Sequence, residues 1–173
     1  MRYLKPVEEL TGLTHCFVRV SLPDGKRYLA DVGFSGINSI APVQMDVDEF
    51  QSLPEGQFRL VAENGIYALE RHLAGDILRT LYLFKDELAL ERDLSMSNWY
   101  MCSHPEGRWM GCCFASRVVG NTRRHIQNGS YVIRQADGKA ETTLIKDKAQ
   151  LMSLLDTVFG LVPADDEGLD KYL

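Results

Sequence analysis

The 173-residue chain has no apolar run approaching the roughly 20 residues that a helix needs to cross a bilayer. Its start, Met1-Arg2-Tyr3-Leu4-Lys5-Pro6, lacks the apolar stretch of a signal peptide, so a cytoplasmic location is the simplest reading. Cysteine is scarce: four residues, at 16, 102, 112 and 113, form no disulfide framework, and reduced thiols are expected. Cys102-x-His104 with Cys112 and Cys113 lacks the paired C-x-x-C spacing of a zinc site, so no metal is expected. Positive charge is in deficit, with 19 Lys and Arg against 24 Asp and Glu, which argues against a general nucleic-acid surface. Gly-rich phosphate fingerprints of the Walker or dinucleotide type are absent, and no internal repeat is visible. What remains is an ordinary globular composition, 45% hydrophobic and 25% charged, sufficient to bury a core.

The first part of the chain is strand-rich. Residues 16–22, 26–32, 57–62, 66–71 and 79–84 are expected as strands, divided by Glu63-Asn64-Gly65 and Ala74-Gly75-Asp76, and they suggest a compact antiparallel barrel or sheet. Residues 46–52 are expected as a short helix capped by Asp46. Between 86 and 103, Leu88, Leu90, Leu94, Trp99 and Met101 suit a connecting helix with Asp86 as its cap, ending before Pro105. Strands at 113–119, 122–127, 130–135 and 141–145 follow, with tight turns at Asn128-Gly129 and Asp137-Gly138. Asp147 then caps a helix whose apolar face is Leu151, Leu154, Leu155, Val158 and Phe159, stopped by Gly160. Residues 164–173 are acidic and expected to be mobile. The domain division is therefore a barrel over 1–85, a connecting helix over 86–104 and an α/β unit over 105–173. His72 and His125 have charged or polar neighbours and are expected to face solvent; Arg123-Arg124 suits an exposed strand face more readily than a phosphate site.

The most informative pair is His15 and Asp31. They flank a hairpin whose turn is Pro23-Asp24-Gly25, with Gly available for a left-handed position. A three-residue loop sets Leu22 opposite Lys26 and His15 opposite Gly33, so Asp31 shares the His15 face as a diagonal neighbour. Diagonal positions lie roughly 7–8 Å apart, within reach of these two side chains. A carboxylate on one imidazole nitrogen leaves the other to deprotonate a thiol or hydroxyl. Cys16 adjoins His15 in sequence, but consecutive strand residues point to opposite faces, and Cys16 reads as a small buried hydrophobe. A lone histidine would ordinarily be read as structural.

The surrounding residues reverse that weighting. Thr11-Gly12-Leu13-Thr14-His15, the hairpin, and Asp31-Val32-Gly33-Phe34 resemble the arylamine N-acetyltransferase family. Similar too are Ala41-Pro42-Val43, Gly56-Gln57-Phe58-Arg59-Leu60, Asn98-Trp99-Tyr100 through Ser103-His104-Pro105, and the terminal hairpin and helix ending in Val158-Phe159-Gly160-Leu161. Ser35 replaces a usual glycine and Gly107 a usual serine. If position 35 needs positive φ, serine strains it.

The resemblance implies an α+β fold of the cysteine-protease-like superfamily: a helical domain bearing a cysteine, an antiparallel β-barrel bearing His and Asp, and an α/β lid. This chain matches the last two, and the Arg-Gly-Gly-x-Cys segment of the first is absent from it. His15 and Asp31 are thereby implied as catalytic residues, Thr11 and Gly12 as contacts to coenzyme A, and Phe34 as a wall of the acceptor pocket. The implied chemistry is ping-pong acetyl transfer from acetyl-CoA to an arylamine or hydrazine, without a metal. A truncated chain would be inactive alone and prone to self-association, or would need a separate helical domain as partner. Two other readings remain: a non-enzymatic module that binds an acyl carrier or a protein, and a relative of the amide synthases that share this fold and triad. Neither a nucleic-acid nor a membrane partner is expected.

Overall fold

The computed structural model describes residues 2–3, 13, 15–34, 37–73, 75–107, 109–165 and 167–173, the first two by backbone alone. Thr11, Gly12, Thr14, Ser35 and Gly36 lie outside the described residues. The chain divides into two compact units, Met1–Tyr100 and Met101–Leu173.

In the first unit the strands are β1 (Arg2–Tyr3), β2 (Val18–Ser21), β3 (Arg27–Ala30), β4 (Val43–Gln44), β5 (Gln51–Leu53), β6 (Gly56–Glu63), β7 (Ile66–Leu73) and β8 (Ile77–Phe84). They form two antiparallel sheets, ordered β1-β8-β7-β6-β5 and β2-β3-β4. Alternation directs Phe58 and Leu60 of β6 inward, where they meet Leu69, Leu81, Tyr82 and Phe84 from the same sheet, Leu29 and Val43 from the smaller one, and Met45 just after β4. Each large apolar side chain so buried contributes roughly 1.5–3 kcal/mol.

The expected barrel is not a closed sheet among the described residues. Strand β4 is only two residues long, and a side chain stands where a ladder to β5 would continue. The Gln51 carboxamide accepts from the Gln44 amide at 2.8 Å and donates to the Gln44 carbonyl at 2.9 Å. The same segment overturns the helix expected over 46–52. Asp46 caps nothing; its carboxylate takes the Arg27 amide at 2.9 Å and the Arg27 Nε at 2.8 Å, and Gln51 begins a strand.

The connecting helix α1 (Glu91–Ser103) ends two residues before Pro105, as the missing proline N–H requires. Its acidic first turn, Glu91 and Asp93, suits the positive end of the helix dipole. Asp86 is not its cap: Arg19 holds that carboxylate at 2.8 Å, and the helix begins five residues later.

The second unit is a four-stranded antiparallel sheet, β9 (Phe114–Val119), β10 (Thr122–Gln127), β11 (Ser130–Arg134) and β12 (Ala140–Leu144), in the order β12-β11-β10-β9. One face is covered by α2 (Lys148–Leu154) and a π-helical turn over Leu155–Phe159. Asp147 caps α2 by accepting from the Gln150 amide at 2.8 Å, and Gly160 ends the run at φ +67°. Leu151, Leu155 and Phe159 are buried with Ala115, Ile126 and Ile145. The acidic end forms a 3-10 turn over Leu169–Tyr172, with Leu169 packed on this core. One surface expectation changes: His72 bonds the exposed Asp76 at 2.8 Å at the surface, but His125 is half-buried with Arg123 and Arg124 on β10. Burial, then the charges of Arg134 and Arg123, hold the His125 imidazole below its ordinary range. Among the described residues no helix is long and apolar enough to cross a membrane.

Candidate active site

The hairpin turn determines which side chains meet. The Leu22 amide donates to the Lys26 carbonyl at 2.9 Å and the Gly25 amide to the Leu22 carbonyl at 3.0 Å, with Gly25 at φ +87°. That is a three-residue loop, and Val18 pairs with Ala30 through Ser21 with Arg27. The same register carried three residues beyond β2 and β3 sets His15 over Gly33. A Cβ placed on Gly33 would stand 3.0 Å from His15 Cε1. Asp31 lies on the same face, and its Oδ1 is 2.8 Å from His15 Nε2.

Asp31 is held from four sides. Its Oδ1 also accepts from the amides of Gly33 and Phe34, each at 3.1 Å, and its Oδ2 accepts from the Tyr82 hydroxyl at 2.8 Å. The carboxylate is 1% exposed. Burial pushes its carboxyl up, but the hydrogen bond and charge of His15, the Tyr82 hydroxyl and the Gly33 amide outweigh it, and the group titrates below the usual carboxylate range. Burial first, then the adjacent Asp31 charge, drives the Tyr82 phenol far upward, so it stays protonated and donates. Facing a carboxylate oxygen, Nε2 carries the imidazole proton, which leaves a lone pair on Nδ1.

An acid titration tests the Asp31 environment. Because its folded value is depressed, its stabilisation is complete above the unfolded value of about 3.9 and disappears as pH falls through the lower folded value. The Tm of the chain is expected to drop from about pH 4 downward. Asp31→Asn is expected to flatten that part of the profile; identical slopes in the two proteins would contradict it.

Tyr82 is the residue of this cluster that the sequence did not single out. Strand β8 carries a bulge opposite Leu69 and Glu70: Leu69 pairs with Tyr82 but Glu70 with Thr80. The extra residue lets both Leu81 and Tyr82 point inward, at 0% and 1% exposure. Phe34 stands edge-on to both His15, at 5.7 Å between centroids, and Tyr82, at 5.1 Å. Phe34 and Tyr82 thus wall the imidazole. Cys16 is exposed, so the expectation of a buried Cys16 fails. Cys102, Cys112 and Cys113 belong to the second unit. Among the described residues, no three or more His, Cys, Asp or Glu are grouped to hold a metal.

Comparison with known proteins gives one consistent picture. A family model described as N-acetyltransferase matches residues 3–166. The chain is 26% identical over 163 residues to an arylamine N-acetyltransferase of Mycobacterium tuberculosis, covering 94% of this chain and 57% of that relative. It is 26% identical over 150 residues to an arylamine N-acetyltransferase / N-hydroxyarylamine O-acetyltransferase of Salmonella typhimurium, covering 86% of this chain and 52% of that relative. Among solved structures, Mycobacterium marinum arylamine N-acetyltransferase in complex with CoA is similar at a TM-score of 0.85 and 25% identity, over 98% of this chain and 63% of that one. The chain spans a little over half the length of the curated relatives it matches.

Proposed function

Because the chain belongs to the N-acetyltransferase family that includes the arylamine N-acetyltransferases, we propose that it carries the base and acid of an acetyl transfer from acetyl-CoA to an arylamine or hydrazine. The attacking cysteine thiol is supplied by a helical module outside residues 1–173. The observation that carries this reading is the 2.8 Å His15–Asp31 contact, which fixes Nε2 and leaves Nδ1 as the acceptor. Nδ1 takes the thiol proton, and Asp31 stabilises the resulting imidazolium. The thiolate attacks the acetyl carbonyl of acetyl-CoA; the bond from that carbon to the CoA sulfur breaks, and CoA leaves as a thiol carrying the proton. The amine nitrogen then attacks the acetyl-cysteine, its proton passes to His15, and the cysteine sulfur departs. Phe34 is assigned to the wall of the acceptor pocket. Thr11 and Gly12 are assigned to CoA, with backbone N–H groups offering donors to its oxygens.

The test is acetylation of an arylamine and of a hydrazine by this chain mixed with the cysteine-bearing helical module of a relative. Transfer that needs both polypeptides supports the reading; transfer by the module alone at the same rate contradicts it.

A module that delivers its thiol to Nδ1 meets the dyad face of the hairpin, and the opposite face is left open to a second copy of the chain. That opposite face presents Val18, Val20, Leu22 and Val32, and Val32, next to Asp31, is fully exposed. Contiguous apolar surface of this kind marks interaction sites. The chain is expected to self-associate and to bind a hydrophobic dye, and Val18→Asp with Val32→Asp is expected to suppress both. Light scattering that finds a dye-silent monomer in the unmodified chain would contradict this.

A further inference from the structure

Arg71 on β7 is 3% exposed, one of a small group of buried polar side chains with Asn38, Ser39 and Glu55. Burying a guanidinium is costly unless acceptors meet it, and here they are backbone carbonyls from two separate loops. Nη1 donates to the Ile37 carbonyl at 2.7 Å, Nη2 donates to the Glu55 carbonyl, and the guanidinium carbon lies 5.1 Å from the centre of the Phe58 ring. Glu55, itself buried in the β5–β6 turn, accepts on Oε2 from the Ser39 hydroxyl at 3.2 Å and from the Ile40 amide at 3.1 Å. Ile37, Ser39 and Ile40 are thus pinned to one buried centre. Between them, Asn38 is 2% exposed and its Nδ2 donates to the backbone carbonyl of Asp31 at 3.4 Å.

We propose that Arg71 is a positioning residue for the acid of the dyad. Its guanidinium fixes the 37–40 loop, and Asn38 in that loop holds the backbone of Asp31 at the place where its carboxylate meets His15. The catalytic consequence rests on reading His15 and Asp31 as a base and its acid. The geometric consequence does not, because the His15–Asp31 hydrogen bond is measurable without any reaction.

The physical logic is one of rigidity. Asp31 accepts His15, two local amides and Tyr82, but the local amides move with the Asp31 backbone and cannot by themselves fix it against the sheet. The Asn38 link ties that backbone to the 37–40 loop, and Arg71 ties the loop to β7. A lysine at 71 keeps the charge but replaces the two separated nitrogens of the planar fork by one, so it cannot stand in for Nη1 at Ile37 and Nη2 at Glu55 with the same geometry.

The test is imidazole NMR on the full chain labelled with 15N, with the His15 Nε2–H resonance assigned by its absence in His15→Gln. In Arg71→Met, judged folded by a cooperative thermal transition, that resonance is expected to vanish through solvent exchange, and in Arg71→Lys to survive broadened. Asn38→Ala keeps Arg71 in place and is expected to speed exchange of the Nε2–H about tenfold, the scale of one hydrogen bond. If Arg71→Met does not fold, Arg71→Lys and Asn38→Ala decide the matter. An unchanged His15 resonance and exchange rate in the folded variants, even with a lowered Tm, would assign Arg71 to stability alone and overturn the proposal. Failure of acetyl transfer with the NMR result intact would instead strike the reading of the dyad as catalytic.

Discussion

His15→Gln is expected to lower acetyl transfer by the reconstituted enzyme roughly 10⁴-fold or more, whereas Asp31→Asn is expected to cost only about 10²-fold. On the proposed reading the first change removes the base whose Nδ1 takes the thiol proton, and members of a triad act as a unit. The second is gentler for a reason visible in the geometry. Three donors, the amides of Gly33 and Phe34 and the His15 Nε2–H, converge on the single oxygen Oδ1, while among the described residues Oδ2 meets the Tyr82 hydroxyl. An asparagine therefore keeps its oxygen at the Oδ1 position and places its NH₂ toward Tyr82, whose hydroxyl can turn to accept. Imidazole orientation and tautomer survive, and what is lost is the negative charge that stabilises the imidazolium. Steady-state rates for both variants check the difference, and an Asp31→Asn loss as large as that of His15→Gln would contradict the convergence on Oδ1.

Gly33→Val is expected to reduce kcat by about 10²-fold, the penalty for displacing a reacting group by an ångström. Position 33 lies directly under the imidazole, where even a bare Cβ would stand 3.0 Å from Cε1 and 3.7 Å from Nδ1. The γ-carbons of valine reach further into that space and push the ring off Asp31. Gly33→Ala demands a shift of only a few tenths of an ångström, so its effect is expected to lie between those of wild type and valine. The Gly33 amide that supports Asp31 is retained in both, which confines the change to the ring. Rates ordered Gly, Ala, Val in falling sequence are the expected result; a fully active Gly33→Val would mean that the ring works from another position.

The dyad was legible because it depends on local rules. Pro23-Asp24-Gly25 determines the loop length, loop length determines register, and register determines which side chains share a face. The turns at Asn128-Gly129 and Asp137-Gly138, the strand over Thr122–Gln127 and the Asp147 cap were legible on the same grounds. Tyr82 was not, because strict alternation admits only one of Leu81 and Tyr82 to the core and a bulge is needed for both. The helix expected over 46–52 failed because Asp46 found Arg27 and Gln51 found Gln44, partners that capping and periodicity cannot anticipate. Nothing in the sequence singles out Arg71, since its acceptors are carbonyls at Ile37 and Glu55, contributed by loops elsewhere in the chain. Closure of a barrel was equally out of reach, as it turns on the length of β4.

The central claim is that His15 and Asp31 activate a thiol that residues 1–173 do not supply. Its most direct test is intact mass spectrometry after incubation with acetyl-CoA, first of this chain alone and then of the chain with a cysteine-bearing helical module. The expected result is no acetyl mass on the chain alone, and in the mixture one acetyl on the module that His15→Gln prevents and an arylamine discharges. An acetyl group on Cys16, Cys102, Cys112 or Cys113 of the chain alone, dependent on His15 and released to an arylamine, would contradict it.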